Sequence, residues 1–323
     1  MSPRKPDVDG AAIDVLLRRV FGTSVPVTWQ RTPEGVSTQV YRLSRGSETF
    51  YLRIAEEADD NLETDAELHQ RLCDLGVRVA RVVDVEPFNP AIGRSTMVTT
   101  EVPGLPLSGI AAPTRTGSGV DAASVVEAAG ADLALLNQVP VDGFGWIRRR
   151  GRQWPPQADH PSYPPFVASY LPTPWPGPLA SLFPTPVLDA LADLVGHERR
   201  QPPGQARLAH GDFDLDQVFC ADGRYTGLID FGEIRGAEPT FDLGHFWLHD
   251  RTTPGLLPAL LTGYQRVQPL PADHLESIRR SAILLALRQL CRWLGPPRHL
   301  PLDHPGVTNR ARRIRELVGT PSP

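Results

Sequence analysis

Two apolar runs joined through Asp-Gly, with an aspartate at each outer end, constrain this chain more than any other feature. Gln217-Val218-Phe219-Cys220, the turn Ala221-Asp222-Gly223-Arg224 and the run 225–230 form a hairpin signal, because Asp-Gly accepts the positive φ angles of a tight turn. A hairpin returns its two ends to one place. Asp212, just before the first run, and Asp230, at the end of the second, are therefore expected to lie close together although 18 positions separate them. Two neighbouring carboxylates suit a divalent cation, or a division of labour between a base and a metal ligand. Asp212, Asp214 and Asp216 also have the outward form of a calcium loop. That reading fails, because position six would be Gln217 in place of Gly and position twelve Gly223 in place of Glu.

The rest of the chain supplies a frame for this hairpin. Residues 13–21 read as a short amphipathic helix, and 37–43 and 49–54 as strands joined by a polar turn at 44–47. A helix is expected at about 62–75, ended by Gly76, followed by strands at 79–85 and 95–101 and a break at Pro103-Gly104. Residues 1–103 thus read as a small, mostly antiparallel sheet lobe with one helix inserted after the strand that ends at Ile54. A hinge is expected near 99–104. Residues 104–323 read as a larger, mainly helical lobe. In it 122–139 and 187–199 are helical, 151–186 is an irregular, ordered excursion rich in proline and aromatics, and the tail beyond Leu256 alternates helical runs with proline-rich breaks. There is no internal repeat.

The strings around the hairpin resemble a known family. His210-Gly211-Asp212-Phe213-Asp214-Leu215-Asp216-Gln217 resembles the HGDxxxxN element of aminoglycoside phosphotransferases, a variant of the protein-kinase catalytic loop. Leu228-Ile229-Asp230-Phe231-Gly232 resembles the kinase DFG element, and Gly236-Ala237-Glu238-Pro239 with Asp242-Leu243 resembles the family segment immediately C-terminal to that element. Glu34-Gly35-Val36-Ser37 is similar to the nucleotide-loop turn, and Glu101-Val102-Pro103-Gly104 to the hinge. The stretch 133–139, together with Gly143-Phe144-Gly145-Trp146, is similar to a further family segment. The resemblance implies an α+β, two-lobed, protein-kinase-like fold that moves the γ-phosphate of ATP or GTP, with Mg²⁺, to a hydroxyl of a small acceptor. By resemblance, Asp212 accepts or orients the proton of the attacking hydroxyl, Gln217 and Asp230 hold the metal, and His210 orders the loop. Ser37 contacts a phosphate, and the backbone at Thr100, Glu101 and Val102 meets the purine base. Phosphoryl transfer asks for positioning and charge stabilisation more than covalent help, which suits this set.

The sequence departs from the family pattern at three places. Gln217 stands where the family has Asn; it keeps the amide oxygen on a longer stem, with Asp214 and Asp216 as adjacent alternatives. The sole lysine is Lys5, so the basic residue that grips the phosphates has to be arginine, and Arg53 in Phe50-Tyr51-Leu52-Arg53-Ile54 stands at its position. That residue normally pairs with a glutamate on the next helix, where Glu63, Asp65 and Glu67 compete. At about 100° per residue, Asp65 shares the stripe of Leu68, Leu72 and Leu75, while the glutamates fall roughly 160° away. A carboxylate on the buried stripe requires a partner, and Arg53 is the natural one.

Charge bears on the acceptor. Residues 251–323 carry eleven arginines and four acids, a local net of +7, which leaves −11 on the first 250 residues. Kinases of polycationic aminoglycosides line the acceptor site with carboxylates, so a neutral or acidic hydroxylated compound fits better here. A nucleoside-type, peptide-type or macrolide antibiotic is the leading expectation. A metabolite kinase acting on choline, a sugar or an amino alcohol is the alternative, and a nucleotide-binding pseudokinase is a third reading. Asp214, Asp216, His249 and Asp250 are candidate acceptor contacts, and Tyr163, Phe166, Tyr170 and Trp175 a candidate pocket wall. The overall charge of −4 gives no signal for nucleic acid or a membrane surface. Three isolated cysteines (Cys73, Cys220, Cys291) argue against a disulfide framework or a zinc site. The polar N-terminus points to the cytoplasm.

Overall fold

The computed structural model describes residues 7–32, 39–110, 121–171 (the side chain of Tyr170 excepted), 173–200, 204–250, 252 and 255–319. The chain divides into two compact units. One comprises Met1–Gly104 with the short segments Arg148–Trp154 and Thr226–Ile229; the other comprises Leu105–Ile147, Pro155–Tyr225 and Asp230–Pro323.

The first unit is built on an antiparallel sheet of β1 (Val27–Arg31), β2 (Gln39–Arg45), β3 (Glu48–Ile54), β4 (Val82–Asn89) and β5 (Arg94–Thr100), in the order β1-β2-β3-β5-β4. Helix α1 (Gly10–Phe21) begins where the Asp9 carboxylate accepts from the Ala11 N–H. Its buried residues Ile13, Leu16 and Leu17 recur at spacings of three and one and form a stripe. That stripe packs with Tyr41, Leu43, Phe50, Leu52, Ile54 and Val98 into one core. Helix α2 (Glu63–Asp74) covers the other face, where Leu62 and Ala66 meet Ala55 and Met97. Successive strand residues point to opposite faces. Met97 and Val98 thus serve different cores, and Arg53, between Leu52 and Ile54, is directed toward α2. β1 is a strand that the sequence pattern does not announce: it lies at a sheet edge, and none of its five residues is fully buried.

The second unit begins with β6 (Leu105–Pro106), α3 (Leu107–Ile110) and α4 (Ala122–Leu136), then β7 (Phe144–Ile147), β8 (Ala158–His160), α5 (Tyr163–Tyr170), α6 (Thr185–Arg200) and β9 (Arg207–Ala209). The expected hairpin is present as β10 (Val218–Ala221) and β11 (Arg224–Leu228), of which the residues from Thr226 count with the first unit. Its turn residues Asp222 and Gly223 both have positive φ, 50° and 74°. The chain continues through β12 (Arg235–Ala237), α7 (Thr240–His249), α8 (Leu257–Gln265), α9 (His274–Leu294) and α10 (Pro305–Gly319). A second sheet, β8-β7-β12-β9, sits beside helices among which α4 packs on α8 and α7 on α9. The stretch 151–186 is more regular than its prolines suggest. It holds β8, α5 and a 3₁₀ turn, because prolines occupy the first turn of α5, where a missing N–H breaks no helical bond. Among the described residues, no helix is long and apolar enough to cross a membrane.

The α1 stripe generates a first prediction. Leu16, 1% exposed, sits in the core on one side of the first unit, whereas Val15 is 54% exposed. Leu16→Ala is expected to cost about 3 kcal/mol in urea unfolding, and Val15→Ala less than about 0.5 kcal/mol.

Candidate active site

The loop after β9 is shaped by one buried carboxylate. Asp242, fully buried on α7, accepts from the backbone N–H of His210 (2.8 Å) and of Gly211 (2.9 Å). Asn137 braces it: its amide nitrogen lies 3.4 Å from Asp242 and donates to Leu208 O at 2.8 Å, and its amide oxygen accepts from the Tyr264 hydroxyl at 3.0 Å. Gly211 has φ +89°, and a Cβ there would stand 2.0 Å from the carbonyl oxygen of Glu233, so the loop requires glycine. His210 is buried, with its ring 4.9 Å from that of Phe231.

This turn projects Asp212, whose surroundings are unusually rich in carboxylates. Burial first, then Asp214, Glu233 and Asp230, push the Asp212 carboxyl up to about 7; Arg235 opposes them. Asp230 is thus among the charges that act on Asp212, as the hairpin leads one to expect. Asp230 sits in the left-handed region at φ 59° and accepts from the Gly232 N–H, a conformation that non-glycine residues adopt mainly where the surroundings impose it. Arg235, 2% exposed, lies between the Trp146 and Phe241 rings (4.4 and 5.0 Å) and donates to the Glu233 carboxylate at 2.8 Å.

His245, on α7, stands 3.3 Å from Asp212 through Nε2. Its Nδ1 lies 3.1 Å from the Phe213 carbonyl oxygen, which places the ring proton on Nδ1 and leaves Nε2 an acceptor. Burial, followed by His249, holds His245 well below its ordinary pKa, so the ring is neutral. A neutral acceptor nitrogen beside Asp212 matches a carboxyl that keeps its proton to about neutrality.

The neighbouring candidates shape this loop. Asp214 accepts from the Asp216 N–H at 2.8 Å, and burial raises its carboxyl to about 6. Asp216 accepts from the Ser108 hydroxyl. Gln217 is half-buried and its N–H donates to the Asp214 carbonyl at 3.2 Å. His249 places Nδ1 3.0 Å from the His245 carbonyl oxygen and Nε2 3.0 Å from Nη2 of Arg310. Asp214, His245 and His249 bring ligand atoms within 4.8 Å of one another, but these backbone and Arg310 contacts make the rings hydrogen-bonding elements. The Asp250 carboxylate accepts from Thr252 and from the Leu256 N–H and so orders the start of α8. Tyr163 and Phe166 are buried against Phe144 and line a recess with Phe241 and Leu284; Trp175 is half-exposed.

In the first unit Asp65 is fully buried. Arg53 Nη1 lies 3.4 Å from its Oδ1, while Arg149 places Nε 2.8 Å from Oδ2 and Nη2 3.2 Å from Oδ1. Burial pushes the Asp65 carboxyl up, but Arg149 and then Arg53 outweigh it and hold the group below its ordinary value. The N–H groups of Thr100 and Glu101 donate to Arg81 O and Thr49 O, whereas Val102 makes no hydrogen bond to another described residue. Ser37 lies outside the described residues. Sequence pattern assigns no role to Arg149, Asp242 or His245. Asp242 and His245 had a signal, since a spacing of three on one helix sets both on the face toward the loop. Arg149 had none, being one of three consecutive arginines.

Comparison with known proteins now bears on this geometry. A family model described as "Phosphotransferase enzyme family" matches residues 28–279. The chain belongs to that phosphotransferase family. Within the family's reach, it is 25% identical over 314 residues to the homoserine kinase of Azorhizobium caulinodans, covering 90% of this chain and 88% of that one. Its fold is similar to that of a thermostable mutant of aminoglycoside phosphotransferase APH(4)-Ia, crystallised with ADP and hygromycin B (TM-score 0.62, 15% identity, 95% and 98% of the two chains). It is also similar to macrolide 2'-phosphotransferase MphH of Brachybacterium faecium (TM-score 0.55, 15% identity, 96% and 99%). The α+β, kinase-like fold expected from the sequence is the fold of this phosphotransferase.

The loop's electrostatics and its glycine each generate a prediction. A carboxyl with a raised folded pKa binds its proton more tightly in the folded state. Its contribution is complete below 3.8 and is lost as pH rises through about 7. In metal-free buffer, unfolding free energy measured from pH 4 to 7.5 is expected to fall less steeply for Asp212→Asn than for the wild type. Gly211→Ala is expected to cost about 2 kcal/mol or more, read by thermal unfolding.

Proposed function

We propose that this phosphotransferase is a small-molecule O-kinase that moves the γ-phosphate of ATP or GTP to a hydroxyl of its acceptor, with Asp212 receiving or orienting the hydroxyl proton. The observation that carries the reading is the Asp212 carboxyl. It is held on a pinned loop, raised toward neutrality, and set beside a neutral His245 acceptor. A base with a pKa near the working pH is well placed to take a proton in the transition state. Arg53 binds the phosphates, and the Val102 N–H is the hinge donor left for the purine, since the N–H groups of Thr100 and Glu101 are engaged within the protein.

The donor set fits a divalent cation. Asp214, Glu233 and Asp230 raise the Asp212 carboxyl against the opposing charge of Arg235, and a gathering of carboxylates of this kind favours a bound cation. Gln217 and Asp230 are the proposed ligands of Mg²⁺, with Asp214 and Asp216 alongside. When bound, the ion neutralises charge on the phosphate oxygens.

The leading acceptor is a hydroxylated antibiotic that is not a polycation, supported by the basic final 73 residues and by the fold shared with antibiotic kinases. A second reading, a small hydroxylated metabolite of the amino-alcohol or hydroxy-amino-acid type, draws on the similarity to homoserine kinase across nine-tenths of the chain. A turnover screen with ATP or GTP and Mg²⁺, run against hydroxylated antibiotics, homoserine, choline and sugars, separates them. Strong turnover of homoserine with none of any antibiotic would replace the leading reading by the second. For the chemistry, Asp212→Asn is expected to lower transfer by roughly 10²–10⁴-fold while nucleotide binding by calorimetry stays nearly intact. Undiminished transfer would remove Asp212 from its assigned role.

A further inference from the structure

Asp65 carries two arginines, and the two are unequal. Arg149 meets it as a fork, with Nε and Nη2 on different carboxylate oxygens at 2.8 and 3.2 Å, whereas Arg53 reaches it with Nη1 alone at 3.4 Å. Two-point, charge-assisted bonds are the stronger kind, and a fully buried carboxylate requires donors around it. Arg149 is accordingly the stronger partner of Asp65. The backbone that carries Arg149 is held independently of its side chain. The Asn61 N–H donates to Arg149 O at 2.8 Å, the Thr64 hydroxyl donates to Gly151 O at 2.8 Å, and Asn61 and Arg150 form a parallel bridge. The guanidinium can therefore be changed without releasing the segment.

We infer that Arg149 is a positioning residue for the nucleotide: by taking the charge of Asp65 it leaves the Arg53 guanidinium to the phosphates of a bound nucleoside triphosphate. The inference rests on the kinase reading above. It divides between two arginines what the usual arrangement asks of one basic residue, which both pairs with the helix carboxylate and grips phosphate. Without the Arg149 fork, buried Asp65 draws Arg53 into closer pairing and away from the ligand. Two consequences are specific. The loss falls on the phosphates and spares the base and ribose, and it is reversed by removing the charge of Asp65.

The test is calorimetric titration of the full chain with ATP and adenosine, or with GTP and guanosine where ATP does not bind. Arg149→Met is expected to weaken triphosphate binding about tenfold and to leave nucleoside binding unchanged. Adding Asp65→Asn to Arg149→Met is expected to recover most of the loss. Arg149→Lys keeps the charge but gives up the fork, and should fall between the wild type and the methionine variant; it and its Asp65→Asn double variant decide the question if the methionine protein does not fold. Wild-type triphosphate affinity in both Arg149 variants, an equal loss for nucleoside, or a loss that Asp65→Asn does not recover would each overturn the inference. A wild-type chain that binds neither ATP nor GTP would instead sink the kinase reading on which it rests.

Discussion

The two N–H bonds that Asp242 accepts from His210 and Gly211 hold the rest of the site in place. A fully buried carboxylate is stable only when donors surround it, and here two backbone donors supply that need. Because these donors belong to consecutive residues, the turn between β9 and Asp212 has one available course. Gly211 makes that course possible, since no Cβ fits between it and Glu233. Asn137 and Tyr264 extend the network into α4 and α8, so the helical core and the loop are ordered together.

From this pinned turn the electrostatics arise. Asp212 emerges among Asp214, Glu233 and Asp230, and desolvation with like charge makes its proton hard to remove. Arg235, clamped between two aromatic rings, limits the repulsion by holding Glu233. His245 adds a neutral acceptor: burial keeps the ring uncharged, and its other nitrogen, facing a backbone carbonyl, holds the proton. The same helix thus fixes the loop through Asp242 and faces its carboxyl through His245.

With Lys5 as its sole lysine, the chain has guanidinium groups to offer as internal side-chain cations for the phosphates of the proposed reaction. Arginine is planar and forked and stays charged, so it pairs with a carboxylate at two points where lysine offers one. A lone arginine on a buried aspartate would have that fork occupied. The arrangement at Asp65 gives the fork to Arg149 and a single contact to Arg53. Membership of the phosphotransferase family is compatible with this variation, because phosphoryl transfer depends on where charge is held more than on which residue holds it.

Much of the design was legible in the order of residues. The Asp-Gly hairpin, the strand alternation that turns Arg53 from the α1 core, and the helical stripe that selects Asp65 over Glu63 and Glu67 are periodic or local patterns, and local sterics alone produce them. The edge strand Val27–Arg31 left no such mark, because it buries too little to need an apolar run. The prolines of 163–170 read as breakers although they open a helix. By itself, then, the sequence determined the kinase-like order of elements, the place of Asp212 and Asp230, and the absence of any internal lysine. Tertiary structure alone decided that Arg149 joins Arg53 on Asp65, that Asp242 holds the turn before Asp212, and that His245 faces Asp212. Those contacts join residues 31 to 84 positions apart, and their partners are selected by the need to satisfy buried charge, a demand that arises only once the chain has folded.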